Sequence, residues 1–447
     1  MNVLRSIAVG IPALVLTCSL AAQRSPGLPS VAPPAEADSC QWHEKAPDWV
    51  RSPVQMDIHA GYRIFAFQSD GTLGYRVRGE FPHAAFMSFT LYDGALLYAA
   101  LTDYQMDADP GSINPFHPNE RVNAPNRSYT VTVLPHGTRP DAMANPIFMP
   151  PLPRGSKLTT LVLVQRVYLG EPKVEDRFGG VDAPTIEPFE VRTSTPAACP
   201  SGDFSAIVDQ FGSFNGNFSQ SPLPRNGMIE FYRAPASGVP FADGSSPLTR
   251  RDCTSYLMAT VPPDELAVIH LPTVPAFFDN TRITETTLFV EPEVRYLSMG
   301  SYGASRLSAS DNENIAGPDI KTSDGSATFV AIPIGMSSSD TQQVRKAADK
   351  LGYNVMPLAE YGPAIPLAVN GPWINPFLIY RNKVPSEGFA GSILNVPCFQ
   401  GSNFSDAPSD YAASPVNMDK YAPVGVTCSV WDFLHAGCGQ DFSNLRR

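Results

Sequence analysis

Apolar and polar residues alternate along Glu80–Asp93, which reads EFPHAAFMSFTLYD. Met87, Phe89 and Leu91 fall on one side of an extended chain. The other side carries Phe86, Ser88, Thr90 and Tyr92. Because the side chains of a β-strand point alternately to its two faces, this period of two predicts a half-buried strand, around which a β domain is organised.

A weaker copy of this stretch occurs at Glu293–Gly303, which reads EVRYLSMGSYG. The matched positions are Phe86 and Tyr296, Met87 and Leu297, Ser88 and Ser298, Phe89 and Met299, and Tyr92 and Tyr302. The copies differ where Gly300 and Gly303 replace Thr90 and Asp93. Each copy is followed by a β-branched run and then, at a similar distance, by an arginine: Arg166 and Arg381. This repeated order predicts an internal duplication.

Runs of β-branched and aromatic residues predict further strands. They are Tyr62–Phe67, Leu73–Glu80, Ser128–Leu134, Leu158–Tyr168, Leu266–Leu271, Thr286–Val290, Ala327–Ile332 and Phe377–Arg381. A turn at Ser69–Thr72 is expected to join the first two as a hairpin. Asp324 and Gly325 form a second predicted turn.

One stretch, near residues 340–351, has the pattern of an amphipathic helix. Ser339 is its predicted N-cap, Gln342 completes a capping box, and Gly352 ends it. The apolar stripe consists of Val344, Ala347, Ala348 and Leu351. A second, shorter helix is predicted at Asp203–Phe211.

Composition supports a mainly β fold. The chain has 447 residues, enough for two or three domains, with 43% hydrophobic and 17% charged residues. Its 45 prolines are scattered between apolar runs, and proline is found at strand ends, edges and turns. We therefore predict two related domains of the β-sandwich or jelly-roll type, with one short helix.

The N-terminus is typical of an export signal. Arg5 is followed by a mostly apolar run, Ile7–Leu20, and then by small residues suited to cleavage. A lipoprotein signal through Cys18 is the alternative, but Leu16 and Thr17 do not form the small pair that such a site requires. The run is too short to span a membrane. We predict a secreted or periplasmic protein without a membrane span.

The predicted organisation has six parts. They are a signal peptide (1–22), a disordered spacer (23–39), a first β domain (40–195), a connection (196–225), a second β domain (226–400) and a polar C-terminal extension (401–447). The spacer is rich in proline, alanine and serine, a composition that favours a flexible linker.

Six cysteines follow the predicted signal, which is compatible with disulfides in an exported chain. They are Cys40, Cys199, Cys253, Cys398, Cys428 and Cys438. Six cysteines allow 15 connectivities, so spacing alone does not fix the pairing. We expect a local pair, Cys428–Cys438, and a pair between Cys199 and Cys253.

Charge and local motifs narrow the function. The net charge is −11 and no basic stripe is present, which argues against nucleic acid as a partner. The chain contains no nucleophile elbow, no phosphate-cradling glycine loop and no His-Glu-x-x-His. No motif requires a cofactor. An enzyme would have to assemble its reacting groups from separate strands.

Three stretches, RYLSMGSY, DGSATFVAI and PFLIYRNKVP, resemble the serial motifs of uncharacterised exported bacterial proteins. Three stretches of the first half, FPHAAFMSFTLYD, DPGSINPF and RVYLGEPKVEDRFGGVDAPTI, are similar to the same group. The resemblance covers most of Tyr62–Pro397 and implies paired β-sandwich or jelly-roll-like domains. It implies no activity and assigns no catalytic residue.

Several residues are candidates for acid–base chemistry. His83 precedes the central strand and is the first candidate for a general base, with Tyr92 and Asp93 at the end of that strand. His83, His117 and His136 together could hold a metal with an open position. The simpler interpretation is that these histidines make separate hydrogen bonds.

Asp103, Asp107 and Asp109, with Asn114 nearby, offer oxygen ligands of the type that calcium prefers. Their spacing does not follow the EF-hand pattern, because Gly111 stands where a ligand is needed. A structural calcium ion is one hypothesis for this loop. The other is a solvated loop whose aspartates cap turns.

The polar–aromatic faces of the two central strands are candidate ligand surfaces. Phe86 and Ser88 line one face, and Tyr296, Ser298 and Tyr302 line the other. Aromatic rings with a few hydroxyls suit a small-molecule pocket, but the same pattern is typical of a core with tyrosines at its rim. Arg166 is a candidate for binding a ligand carboxylate, or for a structural ion pair.

Three functions stay open on the sequence. The first is an exported protein that binds a small or oligomeric ligand in a cleft of a duplicated β fold. The second is an extracytoplasmic enzyme of the lyase, isomerase or hydrolase type, with acid–base groups drawn from His83, Asp93, Tyr92 or Asp103. The third is a structural envelope protein, which predicts a large apolar surface patch.

Overall fold

The computed structural model describes residues 40–45, 57–93, 96–139, 143–170, 177–200, 221–235, 253–305, 308–333, 335–358, 375–399 and 404–438. The predicted signal peptide, the spacer, the helix at Asp203–Phe211 and most of the connection lie outside these residues. Among the described residues, no helix has both the length and the apolar character needed to cross a membrane.

The described residues of the first half form nine strands. They are β1 (His43–Lys45), β2 (Ala60–Ser69), β3 (Leu73–Glu80), β4 (Ala84–Asp93), β5 (Leu96–Thr102), β6 (Ser128–Leu134), β7 (Pro146–Phe148), β8 (Thr159–Gly170) and β9 (Thr185–Glu190). Sheet I has the order β1-β2-β8-β4-β5, and sheet II has the order β7-β6-β3-β9.

In the second half, the residues that the structure describes form ten strands. They are β10 (Met228–Ile229), β11 (Tyr232–Pro235), β12 (Cys253–Thr260), β13 (Leu266–Leu271), β14 (Val294–Ser305), β15 (Ser308–Ala316), β16 (Ala327–Ile332), β17 (Asn354–Pro357), β18 (Phe377–Pro385) and β19 (Val424–Cys428). The described helices are α1 (Ser338–Lys350), α2 (Pro415–Met418) and α3 (Val430–Ala436). Sheet III has the order β11-β12-β18-β14-β15, and sheet IV has the order β10-β19-β13-β16-β17.

The two pairs of sheets share one strand order. Adding ten to each strand number converts sheet I into sheet III, and converts sheet II into sheet IV without its edge strand β10. In both halves the last pair of the second sheet is parallel, β6 with β7 and β16 with β17. The fold is therefore mainly β, with four sheets and few helices.

Each half buries its apolar residues between its own two sheets. In the first half, Phe65 and Phe67 of sheet I pack on Tyr75 of sheet II, with ring centroids 5.3 and 4.6 Å apart. In the second half, Met299 of sheet III and Phe329 of sheet IV lie in one core. Burial of each such side chain stabilises the fold by roughly 1.5–3 kcal/mol.

Sheets I and III also pack on each other, within the compact unit Asp38–Arg447. Tyr168 of β8 and Tyr296 of β14 meet there, with ring centroids 4.9 Å apart. The layers therefore follow the order II, I, III, IV. On the outer face of sheet IV, Val344 of α1 and Phe433 of α3 complete a further apolar cluster.

The alternation predicted for the central strands is confirmed. Met87, Phe89 and Leu91 enter the core between sheets I and II, and Phe86 points to the contact with sheet III. The strand is not half-buried, however, because every residue from Ala84 to Leu91 is buried. Sheet I is an inner layer, so both of its faces are covered.

Two strand predictions are wrong. The turn at Ser69–Thr72 does not close a hairpin, because β2 pairs with β1 and β8 whereas β3 pairs with β6 and β9. It carries the chain from one sheet to the facing sheet, so that the apolar faces of both strands share one core. Thr286–Val290 forms only an isolated bridge, Arg121 with Leu288, and Phe289 bonds to the loop at residue 120.

The predicted helix is present, but its cap differs. The Ser337 side chain, not Ser339, accepts a hydrogen bond from the Asp340 N–H, and Asp340 takes the place expected for Gln342. Gly352 follows the helix with a φ of +73°. In the apolar stripe, Val344 and Ala348 are buried, whereas Leu351 is 51% exposed.

The cysteines are joined partly as expected. Cys428–Cys438 is a disulfide, as predicted, but Cys199 pairs with Cys40 and not with Cys253. This bond ties the residues that precede β1 to the end of the first half, whereas Cys253 opens β12 in the second half. Cys398 is also disulfide-bonded.

The C-terminal extension contributes to the fold. Its strand β19 lies between β10 and β13 in sheet IV. Ala407 and Ala412 pack with Tyr302, Phe377 and Ile379 on sheet III. Strand β9, which the sequence did not indicate, forms an edge of sheet II beside β3.

Candidate functional site

The contact between sheets I and III carries polar and charged side chains among aromatic rings. Phe86 stacks on Tyr168 with centroids 5.2 Å apart, and Tyr168 contacts Tyr296 across the contact at 4.9 Å. Ala60 and Ala316 pack beside them. The small alanines leave room for larger residues from the centres of both sheets.

An arginine occupies the centre of each inner sheet at the same place in the register. Arg166 of β8 lies opposite Ser88 on one side and Tyr62 on the other. Arg381 of β18 lies opposite Ser298. On its other side β12 pairs in antiparallel register, Leu257 with Tyr380, which puts Tyr256 next to Arg381 in the position that Tyr62 has beside Arg166.

Arg166 binds neutral oxygens within its own sheet. Its Nη1 donates to Thr90 Oγ1 at 2.6 Å, and its Nη2 donates to Tyr92 Oη at 2.5 Å. The guanidinium lies 5.5 and 5.8 Å from the ring centroids of Tyr92 and Tyr62. Arg166 and Tyr92 are half-buried, so this arginine lies at the solvent side of the contact.

Arg381 is buried and ion-paired. It is 2% exposed, its Nη1 lies 3.3 Å from Asp57 Oδ2, and the same nitrogen donates to Tyr302 Oη at 2.5 Å. Asp57 also accepts from Tyr296 Oη at 2.5 Å and from Asn314 Nδ2 at 2.7 Å. Because Asp57 precedes β2, this network joins the first half of the chain to sheet III.

Gly300 explains how Tyr302 reaches Arg381. A Cβ at Gly300 would lie 2.8 Å from the Tyr302 ring. The matching residue of the first half is Thr90, whose hydroxyl accepts from Arg166 instead. The pairing with the edge strand shifts just before each tyrosine, between Leu91 and Tyr92 and between Ser301 and Tyr302, which turns both rings toward their arginines.

Lys383 lies two residues beyond Arg381, on the same face of β18 and opposite Tyr296. Its Nζ is 5.7 Å from the Tyr256 ring centroid. Burial, followed by the positive charges of Arg381 and Arg166, lowers the pKa of Lys383 to about 7, and Asp57 acts in the opposite direction. An amine with this pKa accepts and releases a proton near neutral pH.

Tyr256 belongs to the same site. Burial raises its pKa to about 12; Arg381 opposes the rise, and the phenols of Tyr92 and Tyr168 on sheet I add to it. Groups from both inner sheets thus act on one another across the contact. We define the tyrosine–cation cluster as Tyr62, Tyr92, Arg166, Tyr168, Tyr256, Tyr296, Tyr302, Arg381 and Lys383.

The cluster has a buried side and a partly accessible side. Arg381, Tyr296 and Tyr302 are buried, whereas Arg166 and Lys383 are half-buried. Guanidinium, ammonium and phenol groups donate hydrogen bonds, and the rings offer flat apolar faces. Such a surface can hold a molecule that carries hydrogen-bond acceptors on an apolar or ring-shaped body.

The predicted acid–base groups are not brought together. His83 and Asp93 lie at opposite ends of the ten-residue strand β4, a separation of roughly 30 Å at the usual rise per residue. Nε2 of His83 faces Arg127, and its Nδ1 lies 3.1 Å from Asn123 Oδ1. Asp93 accepts from Thr159 Oγ1 at 3.3 Å, and burial raises its pKa. Of the predicted acid–base groups His83, Tyr92 and Asp93, only Tyr92 belongs to the tyrosine–cation cluster.

The three aspartates proposed as calcium ligands do not form a site. Asp103 is fully buried, and Arg295 binds it in a bidentate manner at 3.3 and 3.2 Å. Its carboxylate also accepts from the N–H groups of Met87 and Tyr104. In the described ranges, no three His, Cys, Asp or Glu side chains lie close enough to hold a metal.

The other predicted metal ligands are also separate. Asp107 is exposed and Asp109 is half-buried. Asn114 donates to the carbonyls of residues 103 and 106. His117 Nε2 lies 3.1 Å from the Tyr104 carbonyl, and His136 is exposed in a different loop.

Arg295 of β14 forms a second ion pair between the halves. Besides Asp103, its Nε and Nη2 donate to the Ala85 carbonyl at 2.9 and 2.6 Å. The guanidinium lies 4.7 and 4.8 Å from the rings of Phe116 and Phe289. This contact is buried and fully satisfied, so it serves to hold sheet III against β4.

Of the predicted ligand residues, Arg166, Tyr296 and Tyr302 belong to the cluster, and Phe86 stacks at its border. Ser88 and Ser298 are buried beneath it. The candidates selected from the sequence did not include Asp57, Tyr256 or Lys383. Lys383 could have been found, because the alternation of FLIYRNKV puts it on the same face as Arg381.

Two open depressions lie elsewhere on the described surface. One, of about 460 Å³, lies beside the Asp57 network and is lined by residues that include His59, Asn314, Lys321, Arg345 and Asp349. The other, of about 520 Å³, lies near Asp264, Glu265 and Cys428. Lys321 and Asp349 form an ion pair in the first depression.

Comparison with known proteins gives distant structural likeness. The chain is similar to an uncharacterized protein from Burkholderia cenocepacia, with 12% identity, a TM-score of 0.44, and coverage of 89% of this chain and 84% of that one. It is also similar to the VPA0106 protein from Vibrio parahaemolyticus, with 10% identity, a TM-score of 0.35, and coverage of 84% and 90%. No family model matches. No curated protein matches either.

Proposed function

We propose that this is an exported binding protein, built from two related β-sandwich domains, whose ligand occupies the tyrosine–cation cluster. The observation that carries the proposal is the convergence of half-buried cationic and phenolic groups from both inner sheets. Arg166 and Tyr92 come from sheet I, and Lys383 and Tyr256 come from sheet III. A site at such a junction is pre-formed by the two sheets that meet there.

The energetic cost of this arrangement supports a functional role. Burial, and after it the positive charges of Arg381 and Arg166, lower the pKa of Lys383 to about 7. Ionisable groups whose pKa values are strongly shifted by burial and by neighbouring charges are frequently found at functional sites. A purely structural contact would be better served by apolar side chains, which often replace buried charges without loss of stability.

Duplication accounts for the common strand order and for the paired arginines. In this proposal, an ancestral sandwich with the Tyr–Arg–Ser cross-strand row was copied. One copy then turned its arginine into an interface residue, paired with Asp57, and the other kept its arginine at the solvent side. Export is supported by the disulfides Cys40–Cys199 and Cys428–Cys438, which form in oxidising compartments.

Native mass spectrometry of the protein recovered from the exported fraction of its own host tests binding. The expected result is an extra mass that is lost on denaturation. Arg166→Gln and Tyr256→Ala should each lose that mass, and Arg78→Gln, a control at an exposed position of sheet II, should keep it. A bare chain, or an extra mass that survives in both cluster variants, contradicts the proposal.

Lys383 favours a second candidate, an enzyme that removes a proton next to a carboxylate. Its amine would take the proton, the C–H electrons would form a double bond, and a leaving oxygen would depart with a proton from Tyr92 or Tyr256. This is lyase chemistry without His83 or Asp93. A rise in ultraviolet absorbance from the unsaturated acid, abolished by Lys383→Arg, would support it; binding without turnover leaves only the first function.

A further inference from the structure

We propose that the ligand carries an oxyanion, a carboxylate or a sulfate group, which Arg166 and Lys383 hold together, and that Lys383 takes up a proton when it binds. This inference rests on the proposed binding function and names its ligand class. It follows from the charges around the two half-buried cations, from their partial exposure, and from the donors that Arg166 retains.

Arg166 retains donors for an anion. A guanidinium has five N–H groups, and among the described residues Arg166 donates to Thr90 and Tyr92 alone. Those two bonds fix the plane of the group from within its own sheet. An arginine so oriented presents its remaining N–H groups in the planar fork that matches a carboxylate or sulfate.

Positive charge dominates the described side chains around Lys383. The charged groups that act on it are Arg381 on its own strand, Arg166 on β8, and Asp57 before β2. The titratable phenols beside it are Tyr296 on β14 and Tyr256 on β12, and Tyr168 on β8 contacts Tyr296. Asp57 is held by Arg381, Tyr296 and Asn314, so its charge is already shared on the buried side.

An arriving oxyanion reverses this balance. An opposite charge within hydrogen-bond reach favours the protonated form of an amine. Lys383 would then become a second cationic donor beside Arg166, and the proton would come from solvent. The rings of Tyr92 and Tyr256 would contact the body of the ligand, which explains why the site is aromatic as well as cationic.

The amine of Lys383 reports on this directly. Protein labelled with ¹³C at the lysine Cε is titrated by NMR, and the Lys383→Arg variant assigns the signal. The added probes are sodium sulfate, sodium benzoate and neutral benzamide, with sodium chloride at equal ionic strength as the reference. The expected result is a midpoint raised by about one pH unit or more with an oxyanion, and no change with benzamide. Which oxyanion gives the larger shift distinguishes sulfate from carboxylate.

Two variants sharpen the result. Arg166→Gln should raise the midpoint of Lys383 in chloride, because a like charge is removed, and should lose most of the response to oxyanions. Arg78→Gln should behave as the wild type. Equal midpoints in chloride, sulfate and benzoate would overturn the inference. If the protein nevertheless retains a neutral ligand in native mass spectrometry, binding stands and only the ligand class is wrong; a bare chain with no response removes both.

Discussion

Arg166 and Arg381 occupy matching places in two sheets with the same strand order, and they have different partners. Arg381 is sealed in the contact and paired with Asp57. Arg166 is half-buried and bonded to the hydroxyls of Thr90 and Tyr92. The matching backbone positions therefore differ in role: Arg381 holds the halves together, and Arg166 remains partly accessible.

The difference arises from residues outside the repeated strands. Asp57 lies before β2, and its carboxylate reaches across to Arg381, Tyr296 and Asn314. Arg166 has no carboxylate among its described hydrogen-bond partners. Two sheets with the same strand order that pack face to face thus form an asymmetric contact, with its buried part at Asp57 and its accessible part at Arg166.

The largest effect should come from breaking the buried ion pair between Arg381 and Asp57. Arg381→Met leaves the buried Asp57 without its cation, and loss of one partner of a buried ion pair costs about 3–5 kcal/mol. Arg166→Met, the matched change in the other sheet, should lower the free energy of unfolding by no more than about 1–2 kcal/mol, since it removes hydrogen bonds to neutral groups. Urea denaturation with the disulfides intact measures both. Equal losses in the free energy of unfolding would mean that the two arginines contribute equally to stability, which contradicts this comparison.

Asp103→Asn should have the next largest effect, because Arg295 would keep a buried charge without its counterion. We expect a loss of about 3 kcal/mol in the free energy of unfolding. Asp107→Asn and Asp109→Asn should change it by less than about 0.5 kcal/mol. Thermal unfolding with calcium and with EDTA serves as the control: a calcium-dependent melting temperature in the wild type would restore the metal hypothesis for this loop.

Gly300→Ala should destabilise the protein by about 1–3 kcal/mol, because the new methyl group overlaps the Tyr302 ring. The matched change, Thr90→Ala, removes only a hydrogen bond to Arg166 and should cost about 1 kcal/mol. The two variants are compared by urea denaturation. A Gly300→Ala variant as stable as the wild type would show that the ring of Tyr302 is not fixed over this glycine.

A pH-dependent effect is expected from Lys383. The folded-state pKa of Lys383 is lowered to about 7, while an unfolded lysine titrates near 10.4. Between these values the unfolded chain binds more protons, so the contribution of Lys383 to the free energy of unfolding should rise with pH and level off above about 10. Subtracting the curve of Lys383→Met from that of the wild type isolates this contribution; a flat difference from pH 7 to pH 10 contradicts the assigned environment.

Local pattern predicted the central strands of the four sheets and missed several edge strands and the contacts between layers. The alternation around Met87 and Leu297 depends only on neighbouring residues, and it holds in both halves of the chain. The sequence also showed that Arg166 and Arg381 occupy equivalent positions, because each follows its central strand at a similar distance. The burial of the polar faces was not visible in the sequence, because it depends on the packing of sheet I against sheet III.

Partners far apart in sequence explain the errors about chemistry. Asp103 has an environment that suits a cation, but the cation is Arg295, 192 residues away. His83 and Asp93 are close in the chain, yet an extended strand separates its ends. Lys383 carries no motif, and its lowered pKa arises from burial, and then from two arginines that approach it only in the folded protein.

A crystal structure of the protein purified from its own host tests the central claim most directly. The account predicts electron density for a ligand at the tyrosine–cation cluster, with an oxyanion within hydrogen-bond distance of Arg166 and Lys383 and its body against Tyr256. Ordered water alone at these side chains, with ligand density in the depression beside His59 instead, would contradict it.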